Sequence, residues 1–154
     1  MADVTLTPRA GALVPLSVNE ALAGSYTHKM NVKFSDINLS TATTDGDVGV
    51  IKILDTPTDW AVTKVAMNVV TAFATDGTLT IDFGTDGDPN NFITAQDVKT
   101  AGPALEAAGG APATLAGSSA AASDVIQCSF NTQAATGALA DITAGEVDVY
   151  FDLH

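Results

Sequence analysis

The sequence predicts an all-β protein: an antiparallel two-sheet sandwich, jelly-roll-like, with one short helix and an extended N-terminal arm. Three observations carry that prediction. The first is a period of two, the mark of a strand with one buried and one wet face. Val147, Val149, Phe151 and Leu153 alternate with Glu146, Asp148, Tyr150 and Asp152. The second is the make-up of the acids. Of 18 Asp plus Glu, only Glu20, Glu106 and Glu146 are Glu; Asp bonds its local backbone in turns and caps, whereas Glu favours helices. The third is the long chain return between Phe83 and Val125, which favours a jelly roll or related Greek key over an immunoglobulin-like order.

Residues 1–24 form the arm. Pro8, Gly11 and Pro15 forbid a regular helix through most of it, while Leu6, Leu13, Val14 and Leu16 need cover from their own domain or from a neighbour. Asn19–Ala23 is long enough for one helical turn before Gly24. Residues 25–154 form a single β-sandwich domain. In its first strand Tyr26, His28, Met30, Val32 and Phe34 share one face, and Thr27, Lys29, Asn31 and Lys33 the other; Asp36–Ser40 continues it after a kink. Thr41–Asp47 is a polar loop. Val48–Leu54 is apolar enough for burial on both faces. After a turn at Asp55–Asp59, a long strand runs from Trp60 to Ala74 with Val65, Met67, Val69, Thr71 and Phe73 in phase.

Asp76-Gly77 is a hairpin signal between alternating strands, and Thr78–Phe83 returns with Leu79, Ile81 and Phe83 inward. A polar loop, Gly84–Asn91, leads into the expected short helix, Phe92–Ala101, capped by Thr94 with Asp97 three residues later. Residues 104–123 are a long Ala/Gly-rich loop with one strand around Ala113–Ala116. Val125–Asn131 is a strand, residues 132–143 a connection, and the last strand closes the domain.

Composition limits function. A chain of 154 residues suits one domain with its own core. Six Lys plus Arg against 18 acids give a formal net charge of -12, which argues against a nucleic-acid backbone and against an anionic membrane. No signal-like segment and no apolar run near the ~18 residues of a spanning helix is present, so a soluble product made in the cytoplasm is expected. Cys128 falls on the Ile126/Phe130 face of its strand and reads as a small buried hydrophobe.

No catalytic constellation emerges, and the chain is expected not to be an enzyme. His28 lies on an apolar strand face, and His154 ends the sequence. No cofactor is expected and no metal site is predicted. The nearest approach is an incomplete calcium-loop frame: Asp86, Asp88 and Asn90 stand at its first, third and fifth places and Asp97 at its twelfth. The turn glycine is replaced by Asn91, and the twelfth residue lacks the length of Glu, so a plain turn is the preferred reading. Lys29 and Lys33 share a strand face as a solvated or subunit-facing pair.

The run Thr78-Leu79-Thr80-Ile81-Asp82-Phe83-Gly84-Thr85-Asp86-Gly87-Asp88-Pro89-Asn90-Asn91-Phe92-Ile93-Thr94-Ala95-Gln96-Asp97-Val98 resembles a segment of small virion proteins of tailed bacteriophages. There a strand and a turn precede F-I/L-x-A-x-D-V. The ending Ile142–Phe151 also looks like the closing strand of those proteins. The resemblance extends in layout over residues 25–153, and its specific part is the two runs just quoted. It implies a head decoration (cement) or head-fibre-like protein, a homotrimer bound to the major capsid protein on the capsid exterior of the virion. It carries no catalytic residues. Two alternatives remain open at this point: a carbohydrate- or receptor-binding sandwich of a spike or adhesin, for which Trp60 is the candidate exposed aromatic, and a tail or connector component.

Overall fold

A computed structural model describes residues 3–6, 13–15, 26–38, 43–44, 46–55, 62–104, 125–132 and 137–153. Ten strands lie among them: β1 (Asp3–Leu6), β2 (Leu13–Pro15), β3 (His28–Lys33), β4 (Val48–Asp55), β5 (Val62–Ala74), β6 (Leu79–Thr85), β7 (Ile93–Asp97), β8 (Gly102–Ala104), β9 (Val125–Thr132) and β10 (Ala144–Leu153). A single-turn helix α1 (Phe34–Ile37) follows β3, and a 3-10 turn spans Leu139–Asp141. The front sheet has the order β1-β4-β9-β6-β7 and the back sheet β2-β3-β10-β5-β8.

Without β1 and β2, those orders are the two four-stranded sheets of a jelly roll: β3-β10-β5-β8 facing β4-β9-β6-β7. Every pairing is antiparallel except β1 with β4, which runs parallel with Asp3 opposite Val48 and Leu6 opposite Ile51. The last two strands sit at the sheet centres. In β10, Val149 faces Met30 on one side and Met67 on the other; in β9, Cys128 faces Ile51 and Phe83.

The inward faces form one apolar core. Val147, Val149 and Phe151 are fully buried, as are Leu79, Ile81 and Phe83, in agreement with the period-two reading. Two tilted aromatic pairs join the sheets: Phe73 of β5 with Phe130 of β9 at 5.9 Å, and Phe83 of β6 with Phe151 of β10 at 5.6 Å. Such pairs add attraction beyond the area they bury. Cys128 is buried among them.

Four readings of the sequence need correction. The helix expected over Phe92–Ala101 is instead strand β7 and the connection that leads to β8. Phe92, Ile93 and Val98 enter the core, and β7 pairs with β6, so sheet pairing overrides local helix preference. Thr94 is no cap; its hydroxyl donates to the Asn90 carbonyl at 3.0 Å. The kinked strand expected from Asp36 begins instead as α1, where the Asp36 carboxylate accepts the Lys33 backbone N–H at 2.7 Å. Thr71, expected inward, is exposed. Between Glu146↔Thr71 and Val147↔Val69, β5 carries an extra residue, Val70, which is 45% exposed. A second bulge lies opposite Gly145. One bulge shifts the alternation by a residue and two restore it, so Phe73 returns to the core.

The helical turn at Asn19–Ala23, Trp60, His154 and all of the expected 104–123 loop except Ala104, which ends β8, lie outside the described residues, as does the strand expected near Ala113.

Candidate functional site

The outer face of the front sheet holds a groove of about 310 Å³. Its floor is the polar side of β9: Gln127, Ser129 and Asn131. Val48 and Val50 of β4 form one wall. Asp82 of β6, with Pro89 and Asn90 of the loop after β6, forms the other. The ladder fixes this layout, because Asn131 lies opposite Val48, and Ser129 lies between Val50 and Asp82.

Gly84 makes room for the loop wall. It stands opposite Gln127, and a Cβ there would come 2.6 Å from the Pro89 carbonyl oxygen. The loop folds back over it through local bonds. Thr85 N–H donates to the Asp88 carbonyl at 2.9 Å, Asn91 N–H donates to the same carbonyl at 3.2 Å, and Asp88 N–H donates to Thr85 Oγ1 at 3.2 Å.

Asp82 ties the groove to the sheet edge. One carboxylate oxygen accepts the Ala95 N–H at 2.5 Å, and the other accepts Asn131 Nδ2 at 2.8 Å. The Asn131 amide oxygen is thereby left as an acceptor. Gln127 and Ser129 are 6% and 3% exposed; the buried side-chain polar atoms left without a hydrogen-bond partner among the described residues lie elsewhere, at Asp47 Oδ1 and Thr75 Oγ1. The sequence reading passed over this trio because alternation marks Gln127, Ser129 and Asn131 only as the wet side of a strand. The available signal was that the wet side of a central strand carried short, neutral hydrogen-bonding residues instead of charges.

The calcium-frame residues are not brought together. Asp86 turns to Val125, accepting its N–H at 3.2 Å, while Asp97 accepts from Lys99 N–H at 3.0 Å and from the Thr100 hydroxyl at 3.2 Å. Asp88 is exposed, and Asn90 lies on the groove wall. No three His, Cys, Asp or Glu among the described residues converge as metal ligands.

Burial pushes the Cys128 thiol far above its ordinary range, so thiolate is scarce at neutral pH. His28 stacks on Phe151 with centroids 5.4 Å apart, and burial lowers its imidazole pKa against the opposing charge of Asp152. On the outer face of the back sheet, Asn31 Nδ2 donates to Glu146 at 2.9 Å and to Asp148 at 2.6 Å, and Lys29 Nζ lies 3.8 Å from Asp148. Lys29 is therefore held by a carboxylate, while Lys33 is exposed. No helix among the described residues is long and apolar enough to cross a membrane.

Comparison with known proteins finds no matching family model, no similar curated protein and no similar solved structure.

Proposed function

We propose that this protein is a non-enzymatic virion component that binds the outside of a tailed-phage capsid as a homotrimer and stabilises the shell. The observation that carries the reading is the N-terminal arm. Asp3–Leu6 extends the front sheet beside β4, and Leu13–Pro15 extends the back sheet beside β3. Both attach by strand addition, a mode in which main-chain hydrogen bonds supply affinity. Parallel pairing, as between β1 and β4, is slightly less stable per residue than antiparallel pairing. An arm held this way is suited to pairing with a neighbouring subunit or a shell protein that offers an open edge.

Three further features support the reading. The jelly roll is an architecture that viral capsid proteins use, a fold-level analogy and no more. The resemblance of the Thr78–Val98 segment points the same way. A net charge of -12 keeps a protein at the shell surface from sticking to polyanions.

The test is co-sedimentation with expanded, undecorated tailed-phage heads. The full chain is expected to pellet with the heads, and a chain lacking residues 1–24 is expected to stay in the supernatant while keeping its β circular-dichroism spectrum. Equal binding by the truncated chain would remove the arm from the account. A monomer in equilibrium sedimentation at tens of micromolar would remove the trimer.

A further inference from the structure

We propose that the arm is exchanged between copies of this chain: β1 and β2 of one protomer fill the β4 and β3 edges of the next, closing a ring of three. The inference deepens the trimer half of the proposed function and rests on it, but it needs no capsid. The first observation behind it is the length of the tether. β2 and β3 pair antiparallel with Pro15 opposite His28, so the ends to be joined are only about 5 Å apart. About two to five residues normally make such a turn. In this chain residues 16–25 intervene before Tyr26, and Thr27 N–H already donates to the Phe151 carbonyl of β10 at 3.2 Å. Extended, residues 16–25 reach roughly 35 Å, about the width of a small domain. The connection is far longer than pairing within one chain requires and long enough to reach a neighbour.

The second observation is that no turn fixes the arm to its own body. Asp3 pairs with Val48 and Leu6 with Ile51 in a parallel ladder, which no hairpin can form. β1 and β2 are each outermost in their sheets, so both can leave without breaking another pairing. The third is a fitted seat on the body. Leu6 is 3% exposed, and its Cδ1 lies 2.9 Å from where a Cβ on Gly49 would stand. Fully buried Leu139 approaches the same point at 3.1 Å. Gly49 and Leu139 thus leave room for one leucine side chain, whichever copy supplies it. Left empty, the seat would open the core and bare the β4 edge. Residues 7–12 join the two arm strands and reach roughly 20 Å when extended, about twice the spacing of packed sheets. One arm therefore covers both edges of the same neighbour. Exchange keeps every contact that the arm makes within one chain, and head-to-tail exchange around three copies closes with no arm left over.

The experiment places cysteines at paired positions of the full chain: Thr5→Cys with Val50→Cys for the front edge and, in a second protein, Val14→Cys with Lys29→Cys for the back edge. Neighbouring strands lie about 4.8 Å apart, within disulfide reach. The second pair reads the same arm if the first fails to fold. Each protein is oxidised with glutathione disulfide at tens of micromolar, without heads, and run on a non-reducing denaturing gel; sedimentation gives the state of the reduced protein. The expected result is a ladder that ends at a covalent trimer, with mass spectrometry finding the paired thiols joined in the trimer band. A trimer in sedimentation whose cysteines link only within single chains would overturn the exchange and leave the trimer reading standing. A monomer in sedimentation would remove both. If the cysteines link within one chain in solution and stay unlinked once the protein is bound to undecorated heads, a shell strand takes the edges, and the exchange is again overturned.

Discussion

The ring of Phe73 occupies the space that a Cβ on Gly145 would need. An added Cβ would lie within 2.7 Å of three ring carbons, and Gly145 has φ +140, a conformation that side chains rarely adopt. The contact sits at the β5/β10 bulge that returns Phe73 to the core, where its ring meets Phe130 across the sandwich. A glycine at the start of the last strand therefore has a packing role as well as a conformational one.

Gly145→Ala combines overpacking with backbone strain and is expected to cost about 2–5 kcal/mol. That is a large share of the roughly 5–15 kcal/mol typical of a domain. Urea denaturation of the variant measures it. A loss below about 1 kcal/mol would mean that Phe73 does not cover Gly145.

Ala95 has φ +46, in the left-handed region, and its N–H is held by the Asp82 carboxylate. Glycine relieves a left-handed penalty of roughly 1–2 kcal/mol and gives some of it back in unfolded-state entropy. Ala95→Gly is therefore expected to raise stability by about 0.5–1 kcal/mol, read as a higher thermal midpoint. A lower midpoint would contradict the backbone geometry assigned to β7.

Much of the sandwich was legible because burial on one face of a strand leaves a period of two. Val147, Val149 and Phe151, and Leu79, Ile81 and Phe83, needed nothing else. The abundance of Asp was also legible in kind: Asp36, Asp82, Asp86, Asp97 and Asp141 each accept a backbone N–H. What alternation hides is anything set by pairing. The β7 segment has helix-compatible residues and becomes a strand because β6 offers an edge. Thr71 lost its phase to a bulge that only the partner strand reveals. The groove depends on which strands are neighbours: Val50, Ser129 and Asp82 are far apart in sequence and adjacent only through the β4-β9-β6 order.

Cys128 is fully buried and its thiol is held protonated by that burial. A thiol reagent such as Ellman's is expected to leave the native protein unmodified and to react at a rate that tracks global unfolding. Rapid labelling in the absence of denaturant would contradict the central position of β9.

His28 gives stability a pH dependence of known sign. Its folded-state pKa lies below the ordinary 6.5, with burial the larger cause and Asp152 opposing it. As pH falls, the unfolded chain takes up this proton before the folded one does. Stability from this group is thus full above about 6.5 and is lost as pH drops from there through the lower folded value. The thermal midpoint of the wild type is expected to fall across that window more steeply than that of His28→Gln. Parallel curves would mean that His28 is not packed on Phe151.

The groove, the arm and the bulges all depend on the last two strands lying at the centres of the two sheets. Interstrand backbone NOEs on the labelled chain test this most directly. The account predicts cross-peaks from residue 149 to both 30 and 67, and from residue 128 to both 51 and 83. Cross-peaks from residue 149 or 128 to one neighbour only, or between β9 and β10 as hydrogen-bonded partners, would contradict the jelly-roll order and everything built on it.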